Sequence, residues 1–396
     1  MSPPAGSPQG ARPIYLDHNA TTPVDARVLE AMLPFFMEAY GNPSSVEHHH
    51  GNEAAQSVRY ARQQVAAALG ARENEIIFTG SCTEANNMAI LGAAKARPEK
   101  RHHVTTAIEH PAVLEPFREL ERQGHVVTVV GVDEFGRVSP DEIAAAIRPD
   151  TGVVSVMGAN NEVGTIQPIA EIGAACAARN VLFHSDLAQV MAHRIVNVQA
   201  EHIHLASISG HKAYGPKGVG ALYVRSRSPR ARMDPISFGG GQEKGLRSGT
   251  LNVPLIVALG EALAIAHREG AADAQRLKGL GEMFTRVLAD GIQGIAFNGH
   301  PSERLPGMRS VSIRGVDPLA LMHRLNNLAS FSASSACASE KVETSHVLLA
   351  MFGDGERARS AFRVSPGRST KMEELRLFGE AVVGQVAHLR QYSPSG

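Results

Sequence analysis

The chain has 396 residues, 43% hydrophobic and 20% charged, which suits a protein that buries a large core and excludes a disordered one. Its 39 Lys and Arg balance 39 Asp and Glu, so no overall field draws it to nucleic acid or to an anionic membrane surface. No apolar run approaches the ~20 residues of a bilayer span, and no membrane partner is expected. Three cysteines, Cys82, Cys176 and Cys337, lack paired spacing, which argues against a disulfide framework and a CxxC metal site and for a reducing cytoplasm.

Met1 to Arg12 is rich in Pro, Gly and Ser without an apolar centre, and reads as a disordered tail rather than a signal peptide. Adjacent histidines point in different directions on any regular element. The runs His48-His49-His50 and His102-His103 are therefore expected in solvated loops, and no metal site is read from them. Ala54, Val58, Ala61, Val65 and Leu69 recur at helical spacing, and a strand follows at 75–78. Strands are predicted at 126–132, 153–157, 181–184, 204–208 and 219–224, with helices between them at 140–147 and 169–179. Such alternation predicts an α/β fold with a largely parallel sheet covered on both faces, and a ligand where strands end and helices begin. After Asn252 a long helix is expected to about Asp290. Strands at 310–314 and 361–364 and a helix at 373–390 then belong to a second unit. The expected division is a large domain over 13–262, its first residues packing with the small domain, and a small domain over 263–396.

Three segments carry chemistry. In Ser209-Gly210-His211-Lys212, a lysine follows a buried-looking strand, where desolvation can free its amine to form a Schiff base with a carbonyl cofactor. An exposed loop lysine is the bland alternative. Asp186 ends a strand 26 positions earlier, suited to a pyridine nitrogen or simply to capping a helix, and Gln189 lies three residues on, able to reach a ring hydroxyl. Ser81 and Glu84 form a capping box, so a helix N-terminus opens beside Cys82 and Thr83, either as a phosphate cradle or as an ordinary capped helix.

Together with these, Tyr15-Leu16-Asp17-His18-Asn19-Ala20-Thr21-Thr22-Pro23, Tyr40-Gly41-Asn42-Pro43-Ser44-Ser45, Glu109-His110 and Asn160-Asn161-Glu162-Val163-Gly164 occur in order. Gly239-Gly240-Gly241-Gln242-Glu243, Arg247-Ser248-Gly249-Thr250 and Ser335-Ala336-Cys337 follow. The set resembles the cysteine desulfurases of the NifS/IscS type, within the class V aminotransferase family, from Ile14 to about Arg390. The resemblance implies a fold type I pyridoxal 5'-phosphate enzyme with a mostly parallel seven-stranded sheet and a smaller α+β domain. By the same resemblance, Lys212 is the Schiff-base lysine, Asp186 the pyridinium partner, His110 the stacking and proton-shuttling imidazole, and Gln189 the ring-hydroxyl ligand. Thr83, Ser209, His211 and the Cys82 backbone take the phosphate, with Thr250 reaching in from the second subunit of a homodimer. Asn161 and Arg363 hold the substrate L-cysteine, with Asn19 near the same pocket.

Cys337 carries the specific claim, a thiol in a small, polar, mobile loop that receives sulfur as a persulfide, whereas a packed thiol is the plainer reading. The length of the stretch 340–346 matches the NifS/IscS group. Ser334, Ala338, Leu187 and Cys82 depart from the family pattern, and Cys82 and Cys176 are expected to pack. The implied function is PLP-dependent desulfuration of cysteine to alanine, with transfer to an acceptor or scaffold protein for iron-sulfur cluster assembly or nucleic-acid thiolation. No stable nucleic-acid binding is expected. A selenocysteine lyase is the alternative; an aminotransferase, which has no use for the thiol loop, and a non-catalytic scaffold of the same fold are more remote.

Overall fold

A computed structural model describes residues 12–333 and 344–392. The first described strand, β1 (Ile14–Tyr15), is followed by α1 (Ala26–Met32) and α2 (Pro34–Met37). Next comes α3 (His49–Leu69), whose residues Ala54, Val58, Ala61, Val65 and Leu69 are all buried, as their spacing predicts. The His48 ring caps its start by accepting from the Gly51 amide at 3.2 Å, and Gly70 ends it in the left-handed region at φ 63°. The triple histidine therefore opens a helix, exposed to solvent, instead of sitting in a loop.

The principal sheet has seven strands: β2 (Ile76–Thr79), β3 (His102–Thr106), β4 (Val126–Val130), β5 (Thr151–Ser155), β6 (Leu182–Asp186), β7 (Leu205–Ser209) and β8 (Gly220–Val224). Their spatial order is β2-β8-β7-β6-β5-β3-β4. Only β8 runs against its neighbours; the other pairings are parallel. Between the strands lie α4 (Cys82–Lys95), α5 (Pro111–Arg122), α6 (Pro140–Ala146) and α7 (Ile169–Ala178). Successive side chains of a strand point to opposite faces, and the two faces have separate cores. Ile76, Phe78, Val154 and Phe183 pack on the face covered by α3, α7 and the following long helix. Ile77, Val153, Leu182 and Leu205 pack on the α4 and α5 face.

β3 was hidden in the sequence. Its first residues, His102 and His103, are fully buried, which corrects the solvated-loop expectation. The His102 nitrogens meet the hydroxyls of Thr151 and Thr128 at 2.7 and 2.9 Å, and His103 meets the His125 ring at 3.0 Å. Burial keeps both rings neutral, lowering His103 to about 3.

α8 (Val253–Gly291) joins this layer to a second core: Leu259 and Leu263 belong to the first, Leu277, Leu280 and Phe284 to the second. The remaining elements are β9 (Ile295–Asn298), β10 (Arg309–Ile313), α9 (Pro318–Leu325), β11 (Ala329–Ser330), β12 (Ser332–Ala333), α10 (His346–Phe352), α11 (Glu356–Arg359), β13 (Ala361–Val364) and α12 (Met372–Tyr392). An antiparallel sheet of order β12-β13-β10-β9 shares this second core with α8 and α12, Val311 and Phe362 packing with Phe284 and Phe378. β1 pairs in parallel with β11, and Leu16 lies in this second core.

Gly220 lets the start of α4 rest against the sheet. A Cβ there would meet the Ile208 carbonyl oxygen at 2.6 Å and the Ser81 carbonyl carbon at 2.7 Å, both rigid backbone. Gly220→Ala should therefore cost about 1–3 kcal/mol in denaturant unfolding, as overpacking does. Unchanged stability would mean that the helix start can move.

Candidate active site

Parallel strands deliver their C-terminal ends to one side of the sheet. β6 ends on Asp186, β7 on Ser209, β3 leads through Glu109 and His110 into α5, and β5 leads to Met157 and Asn161. These ends and the first turn of α4 enclose a cavity of about 230 Å3. Cys82, Thr83, His110, Asn161, Asp186 and Gln189 line it, as do Ser209, His211 and Lys212.

Asp186 is 7% exposed and accepts from the Asn86 amide at 2.7 Å, the Ala188 backbone N–H at 2.9 Å and the Cys82 thiol at 3.5 Å. Lys212 follows β7 in a single 3-10 turn and donates to the Asn19 carbonyl. Burial, then the Arg363 charge, lowers its amine from the ordinary lysine value to about 8, against the opposing pull of Asp186. The His110 ring opens onto the cavity and caps α5, its Nδ1 accepting from the Ala112 amide at 3.0 Å, so the neutral ring carries its proton on Nε2. The protein packed around it withdraws enough water to lower its pKa.

Ser81 caps α4 by accepting from the Glu84 amide at 3.1 Å, while the helix's first amides remain directed out of its end. His211 is lowered to about 4 by burial and by Lys212, so it presents a neutral ring. The Gln189 side chain donates to the Asn19 carbonyl at 3.0 Å. Arg363 does not itself line the cavity; it gives one bond to the carbonyl of the lining residue Asn161 at 2.9 Å and an ion pair to Asp17 at 2.6 Å.

Thr250 is exposed and lies outside the cavity of its own chain. Cys337, with Ser334 and Ala338, lies outside the described residues. Cys176 is fully buried and raised to about 12. Leu187, which departs from the family pattern, turns into the large core beside Gly158 and does not line the cavity. Cys82, however, touches Asp186 and lines the cavity, with its thiol pushed up by burial and by that carboxylate.

The sequence reading missed three participants. Asn86 lies four residues after Cys82, one helical turn along the same face, and that spacing was the available signal. Asp17 holds Arg363, and Glu109 accepts from Thr106 and the Met157 amide, both at 2.8 Å. Burial raises Glu109 to about 8, so it ties β3 to the end of β5 largely as the neutral acid.

With the geometry established, kinship decides the family. The aminotransferase class-V model matches residues 14–378. A mouse (Mus musculus) protein named cysteine desulfurase is 45% identical over 384 residues, 97% of this chain and 83% of its own. A protein of Anaeromyxobacter sp. (strain Fw109-5) named cysteine desulfurase IscS is 46% identical over 383 residues, 96% and 94% of the two chains. The chain belongs to the class-V aminotransferase family, in its cysteine desulfurase group. A solved structure of a NifS-like protein superposes on this class-V chain with a TM-score of 0.88 at 36% identity, covering 95% of this chain and all of that one.

In this class-V site the neutral amine of Lys212 is the form able to attack a carbonyl. With a pKa of about 8, protonation removes that form as pH falls. Capture of pyridoxal phosphate by the apoprotein, followed by stopped-flow absorbance, should be level above pH 8 and slow about tenfold per pH unit well below it. A rate that stays flat down to pH 6 would exclude Lys212 as the attacking group.

Proposed function

We propose that the chain is a pyridoxal-phosphate-dependent cysteine desulfurase that converts L-cysteine to L-alanine and keeps the sulfur as a persulfide on Cys337. The observation that carries this reading is the meeting of Lys212, Asp186 and His110 with the α4 N-terminus in one cavity, in a member of the cysteine desulfurase group. The donor set fits the cofactor: an amine of lowered basicity, a buried acid at a strand end, and outward amides at a helix start. Lys212 would hold the aldehyde, Asp186 the ring nitrogen and Gln189 the ring hydroxyl, with His110 against the ring face. Thr83, Ser209, His211 and the Cys82 backbone would take the phosphate, together with Thr250 of the partner subunit. When bound, the group supplies an electron sink for charge developing at the substrate α-carbon.

The residues then divide the work. Arg363 exchanges Asp17 for the substrate carboxylate, a bidentate partner, while Asn161 and Asn19 border the same place. Lys212, basic near working pH, removes the α-proton, with His110 as its proton-transfer neighbour. The Cys337 thiolate attacks the substrate sulfur; an S–S bond forms, the Cβ–S bond breaks, the β-carbon gains a proton to become the methyl of alanine, and Lys212 returns a proton to the α-carbon.

The described residues on either side of the stretch that holds Cys337 are bonded to residues around the site. Before it, the Ser332 hydroxyl donates to Asp17 at 2.7 Å. After it, the Ser345 hydroxyl bonds Glu162, and His346 Nε2 meets the Glu109 carbonyl at 2.9 Å. We read 13–262 and 263–396 as the two units that frame this arrangement, in a cytoplasmic homodimer that hands sulfur to an acceptor or scaffold protein. Iron-sulfur cluster assembly or nucleic-acid thiolation is the destination.

Cys337→Ser should abolish sulfide release from cysteine in the presence of a reductant, while the visible absorbance of bound cofactor stays intact. Retained release places the nucleophile elsewhere. Subunit sharing predicts that a mixed dimer of Lys212→Ala and Thr250→Ala chains regains one complete cofactor site. A mixture that binds cofactor no better than either parent argues that each chain builds its site alone.

A further inference from the structure

On another part of the chain, a cavity of about 530 Å3 opens between α8, the turn after Val190 and the segment 301–309. Ile166, Val190 and Leu305 give it apolar walls, and Lys278, Arg304 and Arg309 give it positive charge. Arg309 is only 7% exposed. Its guanidinium lies against Gly281 of α8, where a Cβ would come within 2.7 Å of Nη1. Nε donates to Thr285 Oγ1 at 2.6 Å and Nη1 to the Met308 carbonyl at 2.8 Å, which fixes the group and leaves Nη2 free of them. Arg304 gives Nη2 to the Asn298 carbonyl at 3.2 Å, while its buried Nε has no partner.

Among the described residues, no ion pair includes Lys278, Arg304 or Arg309. Glu282 also borders the cavity and favours the charge on Arg309, but forms no ion pair with it. Burial disfavours charge on both arginines, and on Arg304 the neighbouring Arg309 adds to this. A guanidinium nonetheless stays protonated at neutral pH, so the pair is short of negative charge. Arg194 Nε and His193 Nδ1, on the same wall, are likewise buried without partners, although Arg194 Nη2 is held by Glu201 at 2.7 Å.

We propose that this cavity binds a small phosphate ester. A phosphate has enough acceptor oxygens to engage two guanidiniums and an ammonium from separate walls at once, whereas a carboxylate fills a single fork. The volume exceeds that of a lone phosphate, and the apolar walls suit a compact organic body. The site draws on α8 and on the loop before β10, so occupancy would tie these two segments together. Nothing in this inference depends on the desulfurase reading.

Titration calorimetry on the holoenzyme, its cofactor site filled, with inorganic phosphate, ribose 5-phosphate and adenosine monophosphate tests it. At least one ester should bind with Kd below about 1 mM and more tightly than phosphate alone. Arg304→Gln, and separately Lys278→Glu at an exposed position that folding does not need, should each weaken that binding about tenfold or more. Melting temperature without ligand and cofactor absorbance should stay at wild-type values in the Lys278 variant. No ester binding at about 10 mM, equal binding of phosphate and esters, or wild-type affinity in the Lys278 variant would each overturn the proposal.

Discussion

The site depends on one constraint: a lysine amine and an aspartate must share a cavity that holds back water from the first while keeping the second fully bonded. A carboxylate can be buried only if its oxygens are satisfied. Asn86, Ala188 and Cys82 donate to Asp186 for that reason. Among the described residues, Lys212 has one bond, to the Asn19 carbonyl, and a positive neighbour in Arg363. The two groups thus answer burial differently, the acid through hydrogen bonds and the amine through a lowered pKa. Both outcomes come from the sheet, since β6 and β7 are adjacent and parallel and place residues 186 and 212 at the same edge.

Sequence-distant segments complete the cavity. The chain near residue 17 is stitched to β13 and the turn after it: the His18 amide bonds the Ser365 carbonyl and the Asn19 amide bonds the Ser365 hydroxyl, both at 3.0 Å. Asn19 is therefore positioned by the second core while serving Lys212 and Gln189 of the first. Arg363 repeats the pattern, rising from β13 to meet Asp17 and the Asn161 carbonyl. A substrate carboxylate held there, as proposed, would replace one negative partner with another, so the guanidinium would not be buried alone at any stage.

What could be read from the sequence follows from which contacts are local. Strands with two apolar faces announced themselves through Ile76 to Phe78 or Leu205 to Ile208, and α3 through its five buried positions. β3 stayed hidden because it buries His102, His103, Thr105 and Thr106, and the ring nitrogens of His102 find their partners on other strands, Thr128 and Thr151. In the site, motifs that pack chemistry into a few residues were legible, Ser209 to Lys212 above all. Asn86 and Asp17 were not assigned roles, because their partners lie 100 and 346 residues away. Apart from the one-turn spacing of Asn86 from Cys82, nothing in either local sequence singles out one Asn or Asp among many.

The segment carrying Thr250 shows how an exposed residue can still be held firmly. Glu243 and Lys244 both adopt positive φ, 48° and 61°, a conformation that costs energy for residues with a Cβ. The Glu243 carboxylate compensates by taking two bonds from Arg62, at 2.8 and 2.6 Å, and one from the Phe78 amide at 2.7 Å. β2 is the outer strand of the principal sheet, so that amide would otherwise face outward unpaired. Arg62 also covers the Ile76 carbonyl at 2.6 Å. One buried ion pair thereby closes the free edge of the sheet and holds the bend at 243–245. Breaking such a pair leaves an uncompensated buried charge, a loss of about 3–5 kcal/mol, so the bend is set by the sheet rather than by its own glycines. The stretch beyond it, exposed at Gly249 and Thr250, starts from that fixed point, which is the rigidity a residue needs if it is to serve a site other than its own chain's.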